Sequence, residues 1–214
     1  MRSFDEKYLL DDDNLAAYTG KYKDKNPISQ LIVNNFYHSL NQIVVHMNLG
    51  EDARLLEVGC GAGISSLRIK NMLNGQHFEI SDNEDSVMQL FNRVNFPIKF
   101  SKESVTQLER KDRDFTCVFM LEVLEHVQEY RTALKEIFRV SDEYVVISTP
   151  SEPLWRLLNI LRGKYISNYG NTPGHINHWS SGSLTKLISQ YGEVVKVLKP
   201  TPWTIVLAKR LARK

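Results

Sequence analysis

The hydrophobic positions of this chain fall into two alternating rhythms. Between residues 28 and 47, Leu31, Ile32, Phe36, Leu40, Ile43, Val44 and Met47 recur every three or four positions, which predicts a helix with one apolar face. Short runs rich in apolar residues follow at 55–58, 77–81, 98–101, 115–121, 143–148, 194–198 and 203–208, each the length of a strand. Helical spacing returns between them at 64–72, at 130–140 and at 183–190, and in the segment carrying Val87, Met88, Leu90 and Phe91. Asn74-Gly75 and Pro200-Thr201-Pro202 punctuate the series as turns. Strands that alternate with helices predict an α/β sheet.

The segment between the fifth and sixth strands breaks this rhythm. From Pro153 to Tyr165, Leu154, Leu157, Leu158 and Leu161 share a helical face, flanked by Trp155, Ile160 and several cations. Apolar, aromatic and basic residues in one short helix match a segment that lies on a lipid interface, and core packing of the leucines is the alternative. A loop with Tyr169, Gly170, Pro173 and Gly174 then leads into His175-Ile176-Asn177-His178-Trp179. Two histidines at i and i+3 suggest zinc, yet no third Cys or His stands nearby in sequence, so no metal site is expected.

Composition narrows the class. A chain of 214 residues, 42% hydrophobic, suits one α/β domain with modest additions. No apolar run reaches the ~18 residues of a membrane span. The acids Asp5, Glu6, Asp11, Asp12 and Asp13 are unlike a signal peptide, and a cytoplasmic protein is expected. Cys60 and Cys117 lack metal spacing and are expected to be reduced thiols. The net charge of +2 hides an asymmetry: residues 151–214 hold ten Lys or Arg against two acids, leaving −6 for the rest. A basic final third suits an anionic substrate, a membrane surface, or simply a solvated face with a basic tail.

The sharpest chemical signal is Leu55-Leu56-Glu57-Val58-Gly59-Cys60-Gly61-Ala62-Gly63, a buried strand with an acid near its end that opens into glycines at alternate positions. Such glycines permit positive φ or let a ligand approach bare backbone. They also leave N–H groups at a helix N-terminus, where the dipole favours a carboxylate or phosphate. A dinucleotide fingerprint would need glycine where Ile64 stands, and a P-loop would need Gly-Lys-Ser/Thr. The pattern resembles motif I of the class I S-adenosylmethionine (SAM) methyltransferases, E/D-x-G-x-G-x-G, with Glu57 as the acid. A second stretch, Leu121-Glu122-Val123-Leu124-Glu125-His126-Val127, resembles the segment after strand four of small-molecule methyltransferases such as those of quinone biosynthesis, although Thr116 replaces the aspartate usual at that strand's start.

The resemblance covers about 50–210 and implies a seven-stranded, Rossmann-like α/β sheet with helices on both faces and an antiparallel C-terminal hairpin. It divides the chain into a helical cap over the cofactor site at 1–49 and a SAM-binding domain at 50–214, with a substrate-loop insertion at about 151–182. The implied reaction moves a methyl group from SAM, leaving S-adenosylhomocysteine, to a small-molecule acceptor that is lipid-like or anionic. Glu57, Gly59, Cys60, Gly61 and Gly63 would seat the cofactor, Tyr18 or Tyr22 would close over it, and Leu121 would border it at the end of strand four. Asp82 is the choice for the ribose hydroxyls, with Glu79 as a rival because Glu79-Ile80-Ser81 also aligns with the family's Asp-Ile-Ser. Ser104 and Val105 fill the places of the adenine-contacting Asp-Ala, with Glu103 as the alternative to Ser104.

For the acceptor, the resemblance points to Tyr165, His175 and Trp179, and a hydroxyl acceptor would need His126 or His178 as base. His178 and Trp179 capping and packing the following helix is the plainer alternative. A SAM-binding protein without transferase activity and a protein methyltransferase remain as other readings. A nucleic-acid partner is not expected, because Asn-Pro-Pro-Tyr is missing after strand four and no separate RNA-binding module is visible. Membrane contact would be peripheral.

Overall fold

A computed structural model describes residues 19, 22–24 and 26–211; Tyr18 and the early acids lie outside them. Five strands run parallel: β1 (Arg54–Val58), β2 (His77–Asp82), β3 (Lys99–Lys102), β4 (Phe115–Leu121) and β5 (Ser141–Pro150). After β6 (Gly192–Leu198), β7 (Trp203–Arg210) inserts antiparallel between β5 and β6. The order across the seven-stranded sheet is β3-β2-β1-β4-β5-β7-β6, with the reversal beside β1 that opens a crevice at the strands' carboxyl ends.

Period-two alternation sends neighbouring side chains into two cores. Leu55, Ile80, Cys117, Phe119 and Leu207 face α1 (Pro27–Met47), α2 (Ile64–Met72) and α3 (Asp85–Val94). Leu56, Val118, Met120, Val145 and Val206 face α4 (Tyr130–Val140) and α6 (Ser181–Ile188). Helices therefore cover both faces, and the C-terminal strands pair antiparallel, as the family resemblance implies. Both cysteines are free and buried.

Three details differ from the sequence pattern. On α1 the buried stripe uses Val33 and Tyr37, while Leu31 stands 69% exposed. In α5 (Leu154–Leu161) the leucine face does not enter the core: Leu157 and Leu161 are exposed and the buried residue is Asn159. Polar bonds anchor α5 instead, from Asn159 Nδ2 to the Gly170 carbonyl at 2.9 Å and from Trp155 Nε1 to Thr172 Oγ1 at 2.9 Å. Finally, β5 runs two residues past its expected end, through Thr149 and Pro150, because both pair with the start of β7.

Candidate active site

The glycine turn leaves β1 and is tied at once to the end of β2. Gly59, Gly61 and Gly63 have φ of 71°, 52° and 77°, a region that side chains with a Cβ enter only at a cost. The N–H groups of Gly59 and Cys60 donate to the Ser81 carbonyl, and Gly61 N–H donates to Asp82 Oδ2 at 2.8 Å. Asp82 Oδ1 accepts from Glu84 N–H at 3.0 Å. A carboxylate has about four lone-pair directions, so two backbone bonds orient Asp82 and leave acceptor capacity on each oxygen. Glu57, buried beneath the turn, accepts from Ser66 Oγ at 2.5 Å. Gly63 is the N-cap of α2 and supplies no side-chain cap to its first N–H groups.

This donor set fits a zwitterionic nucleoside. Uncapped N–H groups at a helix start suit a carboxylate, the buried Glu57 suits an ammonium, and an oriented Asp82 suits a ribose diol.

Tyr22 reaches the same face from the N-terminal side. Its hydroxyl lies 2.6 Å from that of Tyr37 on α1, and the Arg68 guanidinium sits 4.5 Å above the Tyr37 ring and 5.2 Å above the Tyr22 ring. Burial first, and then Tyr22 and the Glu57 charge, push the Tyr37 phenol well above its ordinary pKa, so it stays neutral. Sequence reasoning did not single out Tyr37 or Arg68. The available signal was positional, since Arg68 lies about one turn into the helix launched by the glycine turn, where side chains lean back toward the N-terminus.

Glu79 and Asp82 take different surroundings. Glu79 is 2% exposed and bonds His77 Nε2 at 2.8 Å, Arg110 Nη1 at 2.9 Å and Lys99 Nζ at 3.2 Å. Burial opposes ionisation, but the hydrogen bonds from His77 and Lys99 and the charge of Arg110 prevail and hold its pKa at about 2. Arg110 also clamps Glu103, which accepts from Nε at 2.9 Å and from Glu109 N–H at 3.0 Å. Ser104 turns its hydroxyl to Thr106 Oγ1 at 2.8 Å, and Val105 packs half-buried against the second core.

At the far side of the crevice, Leu121 ends β4 buried and Glu122 turns the chain at φ 60°. Glu122 accepts from Ser148 Oγ at 3.0 Å and from Trp203 Nε1 at 2.5 Å. From Trp203 an aromatic series runs outward: Phe36 at 5.1 Å and Trp155 at 5.8 Å from its ring, His175 at 6.2 Å from Trp155, and His126 at 4.8 Å from His175. The insertion is pinned to the loop after β4 by Ile176 and Asn177 N–H groups on the Glu125 carbonyl, and by Asn177 Nδ2 on the Val127 carbonyl at 2.7 Å. His126 Nδ1 donates to the Gly174 carbonyl at 3.0 Å, which fixes the orientation of the ring.

Folding thus brings His126 and His175 together across 49 residues, with buried Glu125 beside them; one ligand atom from each of the three lies within 4.8 Å of the others. Burial, then the charges of His126, His178 and Arg156, lower the His175 pKa to about 4, so its imidazole is neutral near pH 7. The remaining candidates stand apart from this pair. His178 Nε2 contacts Arg156 Nη2 and Asn171 Oδ1, each at 2.8 Å, and burial followed by Arg156 lowers its pKa. Trp179 packs on Tyr130 at 5.4 Å, and its carbonyl receives Glu152 N–H. Tyr165 is exposed, in the left-handed region at φ 54°. Trp155, Trp203 and Glu122 join this cluster although the sequence reading did not nominate them; Trp203 arrives from the last strand, 81 positions after Glu122.

Residues 34–196 match the model of a methyltransferase domain. Among curated proteins, the chain is 26% identical over 136 residues to a ubiquinone biosynthesis O-methyltransferase of Rickettsia bellii, a match that spans 59% of this chain and 55% of that protein. The chain therefore spans about half the length of the curated relatives it matches. Among solved structures, it resembles a chain of the complex between the Haloferax volcanii Trm112 methyltransferase activator and a methyltransferase, with a TM-score of 0.67 at 11% identity, over 86% of this chain and 93% of the other. It also resembles the magnesium protoporphyrin IX methyltransferase of Synechocystis PCC 6803 with bound SAH, with a TM-score of 0.64 at 16% identity, over 96% and 98% of the two chains.

Proposed function

The chain belongs to the methyltransferase-domain family, and from that premise we propose that it is a SAM-dependent methyltransferase acting on a hydroxyl of a small, lipid-like acceptor. The observation that carries this reading is the bond from Gly61 N–H to Asp82 Oδ2, which fixes a glycine cradle and a diol-binding carboxylate in one rigid unit. Asp82 holds the ribose; Glu79, committed to Arg110, Lys99 and His77, does not. Glu57 and the start of α2 receive the ammonium and carboxylate of the amino-acid portion, with Tyr22, Tyr37 and Arg68 closing that end. Ser104 and Val105 flank the adenine, and Leu121 lines the seat.

Bound SAM supplies an already activated methyl group, so the chain's work is alignment, exclusion of water and removal of one proton. Trp155, backed by the buried Trp203, forms an apolar wall for a flat or prenylated acceptor. His126, its Nδ1 held by Gly174, takes the hydroxyl proton on Nε2. His175, kept neutral by burial, orients the acceptor by hydrogen bonding. His178 and Arg156 brace the insertion, and its partners make His178 a positioning residue rather than the base. The likeness to the R. bellii ubiquinone biosynthesis O-methyltransferase supports a hydroxylated aromatic acceptor. The test follows methyl transfer from labelled SAM to prenylated catechols. His126→Ala lowers kcat by roughly 10²–10⁴-fold at unchanged SAH affinity; full activity in that variant would remove His126 as the base.

A further inference from the structure

The outer side of the insertion is unlike the rest of the surface. Leu157, Leu161, Ile166 and Tyr169 are 53%, 72%, 63% and 80% exposed, although α5 turns Trp155 and Asn159 inward. Exposed apolar side chains gathered in one short segment mark an interaction surface. Arg162 and Lys164, exposed in the same segment, border them.

We infer that this face, formed by the outer side of α5 and the turn at Ile166–Asn168, docks on an anionic lipid bilayer. Charge complementarity selects that occupant. Long basic side chains at the edge of an aliphatic and aromatic patch reach lipid headgroups while the leucines and isoleucines enter the acyl boundary. The same helix that meets the bilayer carries Trp155 on its inner side, so a lipid-like acceptor has one helix diameter, roughly 10 Å, to cross from membrane to histidine pair. No helix among the described residues is long and apolar enough to cross a membrane, which makes the contact peripheral.

The test is flotation of the full chain with phosphatidylcholine vesicles, with and without phosphatidylglycerol. The expected result is binding only to the anionic vesicles, reversed by high salt. Arg162→Gln with Lys164→Gln should weaken binding roughly twentyfold, given the usual contribution of each cation near an anionic surface. Leu161→Asp with Ile166→Asp should abolish it. SAH titration of each variant should match the wild type, which separates a failed surface from a failed fold; loss of SAH binding by the wild type would instead count against the proposed function alone. Equal binding by wild type and both double variants, or binding by none, overturns the inference. Sedimentation velocity covers the remaining occupant: a dimer that Leu161→Asp with Ile166→Asp converts to monomer would assign the face to a second copy.

Discussion

The cofactor seat and the insertion hold their functional groups in opposite ways. In the seat, consecutive residues do the work: Glu57, Gly59, Gly61 and Gly63 lie within seven positions, and Asp82 joins them through strand register. The insertion has no such locality. Its candidate groups are His175 from a loop, His126 from the turn after β4, Trp155 from α5 and Trp203 from β7, held by contacts 20 to 81 residues apart in the chain. Backbone geometry builds the first region and side-chain packing the second.

Substitutions should expose that contrast, most strongly in the seat. A Cβ at Gly59 would stand 2.4 Å from Val123 Cγ2, with the backbone at φ 71°. Gly59→Ala therefore combines overpacking with a left-handed penalty, roughly 2–5 kcal/mol together, and should lower Tm by about 5–15 °C in a thermal melt. An unchanged melt would show that the turn is not fixed by its neighbours.

The ion network beside the seat should appear in acid. The Glu79 pKa is lowered from 4.5 to about 2, so its stabilisation is complete above pH 4.5 and is lost as pH falls toward 2. Its size is about 3 kcal/mol. Glu79→Gln should lose that amount at pH 7 and flatten the acid limb of stability in urea titrations, while leaving SAH binding within about threefold of wild type.

On the acceptor side, Trp203→Phe removes the indole donor to Glu122 and keeps most of the ring packing. A loss of about 1–2 kcal/mol in stability is expected. Acceptor KM should rise while cofactor affinity holds. The smallest effect concerns His175. Its pKa of about 4 means that the folded state resists protonation, so the corresponding stability is present above pH 6.5 and declines between pH 6.5 and 4. Its imidazole C–H resonance should stay flat from about pH 8 to 5.

The same contrast explains what could be read from sequence. Apolar periodicity located the inner strands because β1, β2, β4, β5 and β7 are buried on one or both faces, whereas β3 and β6 lie half-exposed at the sheet edges; alternate glycines located the turn because few other residues adopt that backbone. Ends were less legible: β5 continues through Pro150 only because β7 lies beside it. In the insertion, periodicity identified helix α5 and its leucine face but not the burial of Asn159, which comes from hydrogen bonds that hydropathy does not register. His126 was singled out by motif, but its pairing with His175 depends on Gly174, Ile176 and Asn177 bonding back to the β4 loop. The lack of a third metal-type ligand near His175 and His178 in sequence likewise said nothing about Glu125 and His126, which arrive through the fold.

The most direct measurement is calorimetric titration of the chain with S-adenosylhomocysteine, alongside Asp82→Ala and Glu79→Gln. The structure predicts micromolar binding by the wild type and by Glu79→Gln. Asp82→Ala should lose roughly a hundredfold in affinity, because two charge-assisted hydrogen bonds disappear together. No heat of binding in the wild type, or equal affinity in Asp82→Ala, would contradict the cofactor seat on which the proposed chemistry depends.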